Sequence, residues 1–452
     1  MVKAPNLLRL LLLFACLPAG LAWALKIPEV YRGGHEICTS PPPPREHGHW
    51  LKVPVSSAVP PFSPETTDLY IWTKRPFDPA KKTVLFVDGG PGATSHKSSL
   101  DLPDWNLVFF DQRGNSCSRP PTKTLFLDPR FYSSENTVRD MEEIRKFLGV
   151  EKISVYGVSY GTVPAHLYGH FFPERVQAVV LEGVIFRGGE PLIAPPRRLK
   201  TLQKFFDQLP DKMQARILQL SQRSDMAPNW FSNIGMMMLY LDDPLAAYRR
   251  FLEASVWTES LIVPLAKSFE VTDPEETEFG FSHVQAAMLS CQELGLSLPG
   301  MSFYAVFAGR KLVPEKINLS QKYYCESLGF HENFIPALYQ AAERPSVVPT
   351  TYIQGTMDGA TAASEAVLHF HKATTGFAQL ILVARGGHAP AHGPLASGYE
   401  TGLPIQQRQA LISAALAGEV VPEALLRDLT ASTKLRWLRR VRAARAASGG
   451  RP

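Results

Sequence analysis

The stretch Lys152-Ile153-Ser154-Val155-Tyr156-Gly157-Val158-Ser159-Tyr160-Gly161 decides how this chain is read. Its first half is a short apolar run of the kind carried by strands buried on both faces. Its second half is a Gly-x-Ser-x-Gly pentapeptide, and Thr162 to Phe172 beyond it has helical character. Strand, tight turn with serine at the apex, then helix is the setting of a nucleophile elbow, where the serine sits on a strained turn. The glycines have a steric purpose, because side chains at Gly157 and Gly161 would collide with the neighbouring strand and helix. The pentapeptide alone is a weak signal; its flanks make it a strong one.

Working outward, residues 65–186 alternate strands and helices. Asp68–Thr73, Thr83–Asp88, Asn106–Asp111, Ile153–Tyr156 and Val176–Glu182 read as strands, with a helix at Val138–Leu148 between two of them. That alternation predicts a mostly parallel α/β sheet. From 187 to 345 the spacing turns helical, over Leu199–Leu209, Lys212–Gln222, Pro244–Val256, Phe281–Leu294 and Asn333–Ala342. Sheet signal resumes at Thr350–Gln354 and Gln379–Ala384, followed by a helix near 404–417. The expected organisation is therefore an α/β core in two parts, 25–186 and 346–425, interrupted by an all-helical insert at 187–345. Before the first part, residues 25–60 are an irregular Pro- and Gly-rich lead-in ending in an edge strand, His49–Val55.

The two ends have their own signals. Lys3 and Arg9 precede an apolar run from Leu10 to Leu17, and Ala22-Trp23-Ala24 supplies a small-x-small cleavage site. Residues 1–24 are thus expected to be a secretory signal peptide, too short and too broken by Pro18 for a membrane span. Lipoprotein anchoring at Cys16 is a lesser alternative. Export to an extracellular or periplasmic location leaves four cysteines, Cys38, Cys117, Cys291 and Cys325, with three connectivities open. Pairing within each half gives Cys38–Cys117 and Cys291–Cys325; the alternative is four separate buried thiols. Asn318-Leu319-Ser320 is a glycosylation sequon that matters only in a eukaryotic secretory route.

The net charge of +5 comes from the tail: Lys434 to Pro452 holds seven Lys and Arg and no acid, which leaves the rest at −2. Residues 426–452 read as a basic tail, with 434–447 as a solvated helix carrying Trp437, Leu438 and Val441 as its apolar positions. Contact with an anionic membrane is a minor option, and nucleic-acid binding is not expected. No metal site is indicated, since neither Cys-x-x-Cys nor His-Glu-x-x-His spacing occurs.

A serine hydroxyl needs a base to become a nucleophile, and the base needs an orienting carboxylate. Just past the strand at Thr350 comes Gly355-Thr356-Met357-Asp358, and past the strand at Gln379 comes Arg385-Gly386-Gly387-His388. Asp358 and His388 are the candidates for acid and base; His392 is the rival, while His369 and His371 sit in an apparent helix. An oxyanion requires backbone donors. The amide of Tyr160 follows the nucleophile directly, and Gly89-Gly90-Pro91-Gly92 after the strand at Thr83 offers a second donor, for which Gly90 is the choice.

At these residues the chain resembles the proline iminopeptidase and tripeptidyl aminopeptidase family of serine peptidases, within the α/β-hydrolase superfamily. Gly89–Gly92 matches that family's His-Gly-Gly-Pro-Gly loop, Asp111–Gly114 its Asp-Gln-Arg-Gly segment, and Gly157–Thr162 its elbow. Gly355–Thr361 and Gly387-His388 match the acid and histidine loops. Asp88 stands where the iminopeptidases usually have His, and Asn115–Ser118 replaces their Gly-x-Gly-x-Ser; Arg113 is expected to brace its loop. The resemblance implies an α/β-hydrolase fold with a helical cap, and removal of residues from a free peptide N-terminus without metal or organic cofactor. It also implies an acid that binds the substrate ammonium. Cys291-Gln292-Glu293 is similar to the family's Cys-x-Asp/Glu, so Glu293 is the first choice, held rigid by a disulfide at Cys291, and Glu182 the second. Another hydrolase of small esters, amides or lactones on the same fold, and a non-catalytic binding protein, are the alternatives.

Overall fold

The apolar runs become the middle of one large sheet. The computed structural model describes residues 30–38, 47–56, 65–94, 100–185, 195–224, 226, 229–232, 243–256, 282–294, 305–314, 344–393 and 403–443. Nine strands form the sheet: β1 (His47–Pro54), β2 (Thr66–Thr73), β3 (Lys82–Val87), β4 (Trp105–Phe110), β5 (Ile153–Val158), β6 (Val176–Glu182), β9 (Thr350–Gly355), β10 (Ala378–Ala384) and β11 (Arg436–Arg442). Their order is β1-β2-β4-β3-β5-β6-β9-β10-β11. The six strands from β4 to β10 run parallel, while β1, β2 and β11 join antiparallel. β4 and β5 are buried at every position, which is why they read as continuous apolar runs.

Helices cover both faces. On one side α1 (Ser134–Phe147), α2 (Thr162–Phe171) and α7 (Ala363–Lys372) bury Val138, Met141, Ile144, Leu167 and Phe370 against Leu85, Val155 and Leu380. On the other, α8 (Leu403–Leu416) and α9 (Glu423–Thr433) bury Leu411, Ile412, Leu426 and Leu429 against Phe86, Tyr156 and Ile381. Alternate residues of one strand thus feed two cores.

Between β6 and β9 lie α3 (Pro195–Asp207), α4 (Asp211–Leu220), α5 (Pro244–Val256), α6 (His283–Gln292) and a hairpin of β7 (Ala305–Ala308) and β8 (Lys311–Pro314). This region has a core of its own around Phe205, Phe206, Trp230 and Tyr248. The hairpin departs from the all-helical expectation.

A larger departure is at the C-terminus. Residues 426–442 are not a solvated helical tail: they complete α9, and β11 then pairs with β10 from Ala384↔Arg436 to Ala378↔Arg442. Trp437 and Leu435 are buried, and the Arg408 guanidinium lies over the Trp437 ring. Pairing and burial outweigh a weak helical spacing here. The expected helix at 333–342, the segment 1–24, Cys16, Cys325 and the sequon lie outside the described residues. Among the described residues, no helix is long and apolar enough to cross a membrane.

Candidate active site

Ser159 caps β5 with φ of +55°, a left-handed backbone that a non-glycine residue adopts at a cost. The turn is closed tightly on both sides. A Cβ on Gly161 would lie 2.1 Å from the Val87 carbonyl oxygen of β3, and one on Gly157 would lie 2.8 Å from Ala165 of α2. This is the collision expected from the sequence. Gly89, at the end of β3, comes nearer the nucleophile than Gly90 does by the same measure, since its Cβ would sit 2.8 Å from Ser159 Cβ and 3.5 Å from Oγ. Gly90 and Gly92 hold φ of +108° and +101°, and the Gly90–Pro91 bond is cis. The loop is tied down by Asn115 Nδ2, which donates to the Ala93 carbonyl at 3.0 Å, and by Gln112 Nε2, which donates to that of Asp88 at 2.9 Å. Burial, opposed by the Gly89 amide, pushes the Asp88 carboxyl up to about 6, with Asp111 adding to the rise.

Asp358 and His388 meet at the ends of β9 and β10. His388 Nδ1 lies 2.9 Å from Asp358 Oδ2, and both side chains are buried. Asp358 is held by four more donors: the amides of Ala360 and Thr361 at 2.8 Å each, and Gln354 Nε2 and Thr361 Oγ1 at 2.7 Å each. A carboxylate so fixed orients the ring, leaving Nε2 as the basic nitrogen. The ring lies beside the elbow. β6 pairs Glu182 with Val158, and a Cβ on the next residue, Gly183, would come 2.9 Å from His388 Cε1. Ser159, Asp358 and His388 are thus delivered by the ends of β5, β9 and β10, with β6 between the first two.

The rival histidines have other surroundings. His392 is buried against Phe86 and Tyr156, and burial holds its imidazole down at about 4. His369 contacts the Tyr352 hydroxyl at 2.9 Å and stacks edge-on with His166. His371 lies exposed on the same helix.

Glu182 lies at the end of β6 beneath the histidine loop. It is fully buried and accepts the amides of Ala391 and His392 and the Tyr156 hydroxyl. Glu293, just past α6, is also buried. Its Oε1 accepts the Ser134 amide at 2.8 Å and its Oε2 the Ser134 hydroxyl, while Ser134 Oγ is 2.9 Å from the Tyr160 hydroxyl. Burial, opposed by the Ser134 hydrogen bonds, pushes Glu293 up to about 7. Sequence reasoning missed this chain from insert to elbow, because it joins residues 159 positions apart.

The insert touches the site loops at further points. The Ser282 amide donates to the Gly92 carbonyl at 2.8 Å, Met357 packs into the insert's core, and Asp243 pairs with Arg385. Arg113 braces its loop as expected, gripping Asp140 with two hydrogen bonds of 2.7 Å and donating to Pro54 at 2.7 Å. Cys38 and Cys117 form the expected disulfide. Cys291 is disulfide-bonded too, with Cys325, its expected partner, outside the described residues.

A family model described as alpha/beta hydrolase fold matches residues 82–392. A proline iminopeptidase of Neisseria meningitidis serogroup B is 32% identical over 117 residues, 25% of this chain and 36% of that one. A proline iminopeptidase of Arabidopsis thaliana is 30% identical over 145 residues, 28% of this chain and 35% of that one. The chain thus spans about a third of the length of these curated relatives. A solved proline iminopeptidase-related protein of Thermus thermophilus is similar at 17% identity and a TM-score of 0.43, covering 82% of this chain and 98% of that one.

Proposed function

The chain belongs to the alpha/beta hydrolase fold family, and on that premise we propose that it is an exported serine exopeptidase. It would release proline or short peptides from free N-termini. The observation that carries the reading is the buried His388–Asp358 pair set against the strand end beside a strained Ser159. Similarity to proline iminopeptidases over part of the chain supports the choice of substrate. The Cys38–Cys117 disulfide supports export through an oxidising compartment.

In the proposed reaction His388 Nε2 takes the Ser159 proton as Oγ bonds to the carbonyl carbon of the scissile amide. The amides of Tyr160 and Gly90 hold the resulting oxyanion. His388 then gives its proton to the leaving nitrogen, and the C–N bond breaks. Water, deprotonated by His388, cleaves the acyl-Ser159 ester and restores the enzyme. Glu293 is the proposed partner of the substrate ammonium. A carboxyl raised to about 7 by burial is one that an arriving cation would draw into its charged form.

The test is turnover of peptide libraries with free against acetylated N-termini. Release only from free N-termini supports the exopeptidase. Equal cleavage of both, or turnover of arylesters alone, replaces it with an esterase or amidase.

A further inference from the structure

Glu182 is a buried carboxylate that the proposed reaction does not use. It ends β6, one residue before Gly183, whose Cβ position lies 3.1 Å from His388 Nδ1 and 2.8 Å from the His388 carbonyl oxygen. The imidazole therefore rests on the strand end that carries Glu182. Glu182 reaches under the histidine loop: Oε1 accepts the Ala391 amide at 2.5 Å, and Oε2 accepts the His392 amide at 3.1 Å. Two successive amides thus converge on one carboxyl group. Tyr156 donates its hydroxyl to Oε2, and Arg408, fully buried, donates to the Pro390 carbonyl. Residues 390, 391 and 392 are thus gripped in succession by Arg408, 18 positions on from Pro390, and by Glu182, 209 positions before Ala391.

We propose that Glu182 is the positioning residue of His388, clamping the loop that aims the imidazole and lending negative charge to the imidazolium formed when Ser159 is deprotonated. The inference rests on the reading of His388 as base. Charged and titratable groups reach that imidazole and its loop from several elements. Asp358 comes from the β9 loop and Glu182 from β6. His392, on the same loop, is kept neutral by burial, with Lys74 adding to that effect, and Arg408 approaches from α8. Burial raises the Glu182 carboxyl, whereas Tyr156, the two amides and His388 pull it down. A charged His388 is thus one of the groups that favour the ionised form of Glu182.

The test uses the rate of labelling by a fluorophosphonate, which needs the serine and its base but no peptide, across the pH range in which histidine titrates. Glu182→Gln keeps the shape and an acceptor oxygen for the amides but removes the charge. It is expected to label about 10–100-fold more slowly, the usual loss for a supporting partner, with the acid limb moved to lower pH. Tyr156→Phe, which withdraws one donor from Glu182, is expected to move the limb in the same direction. It decides the matter if the Gln variant does not fold. Wild-type rates in a folded Glu182→Gln, or a slower rate with an unmoved limb, overturn the proposal while leaving His388 as base. A wild type that fails to label at all overturns the reading of the base and this inference with it.

Discussion

Glu293→Gln offers a quantitative check on the contact between insert and elbow. Gln keeps an oxygen to accept the Ser134 amide and has the same shape without a titrating proton, so it stands in for neutral Glu293. Burial raises the carboxyl from 4.5 to about 7. The native state therefore holds a proton that the unfolded chain has released. The stability it contributes is full below about pH 4.5 and is lost as pH rises through about 7. At about 1.4 kcal/mol per pH unit the whole effect is roughly 3 kcal/mol. Urea unfolding of both proteins at a series of pH values should find them nearly equal at the acid end. The variant should gain about 3 kcal/mol over the wild type by the alkaline end. A stability difference that stays constant with pH refutes the reasoning, because it gives Glu293 the titration of an ordinary surface acid.

Three further outcomes follow from the geometry. Gly89→Ala, with a Cβ 2.8 Å from that of Ser159 and 2.9 Å from the Val158 carbonyl oxygen, should cut kcat about 100-fold by displacing the nucleophile and should lower the melting temperature as well, because backbone of β5 must shift. Asp358→Asn should lower kcat by up to about 10,000-fold, because an amide can hold His388 in the wrong tautomer; a loss under tenfold speaks against Asp358 as the orienting acid. Opening the Cys38–Cys117 disulfide by Cys38→Ser releases a loop with a sequence separation of 79, at a cost of up to about 4 kcal/mol, read as a lower urea midpoint.

What was legible in the sequence follows burial. β3, β4, β5, β6, β9 and β10 are enclosed between helices, so their apolar runs announced them, and the loops after β5, β9 and β10 gave Ser159, Asp358 and His388. β11 was hidden because it is an edge strand. Arg436, Arg440 and Val441 face solvent, Leu438 is 41% exposed, and only Trp437 and its neighbour Leu435 point to a core. Its apolar positions happen to fit a helix, and pairing with β10 decides otherwise. β7 and β8 are four residues each, too short for alternation to register. Glu182 shows a different limit. A glutamate at a strand end is compatible with ligand binding or with bracing, and only the fold brings Ala391 and His392, some 209 residues on, against it. Gly89 likewise stood beside the favoured Gly90 with nothing in the sequence to mark its closer approach to Ser159.

Ser159 is the residue proposed to bond to the substrate carbonyl. Fluorophosphonate labelling followed by peptide mass mapping tests this directly. One adduct on the peptide containing Ser159, absent from Ser159→Ala and strongly slowed in His388→Ala, is the predicted result. An adduct on another serine, or undiminished labelling of Ser159→Ala, contradicts it.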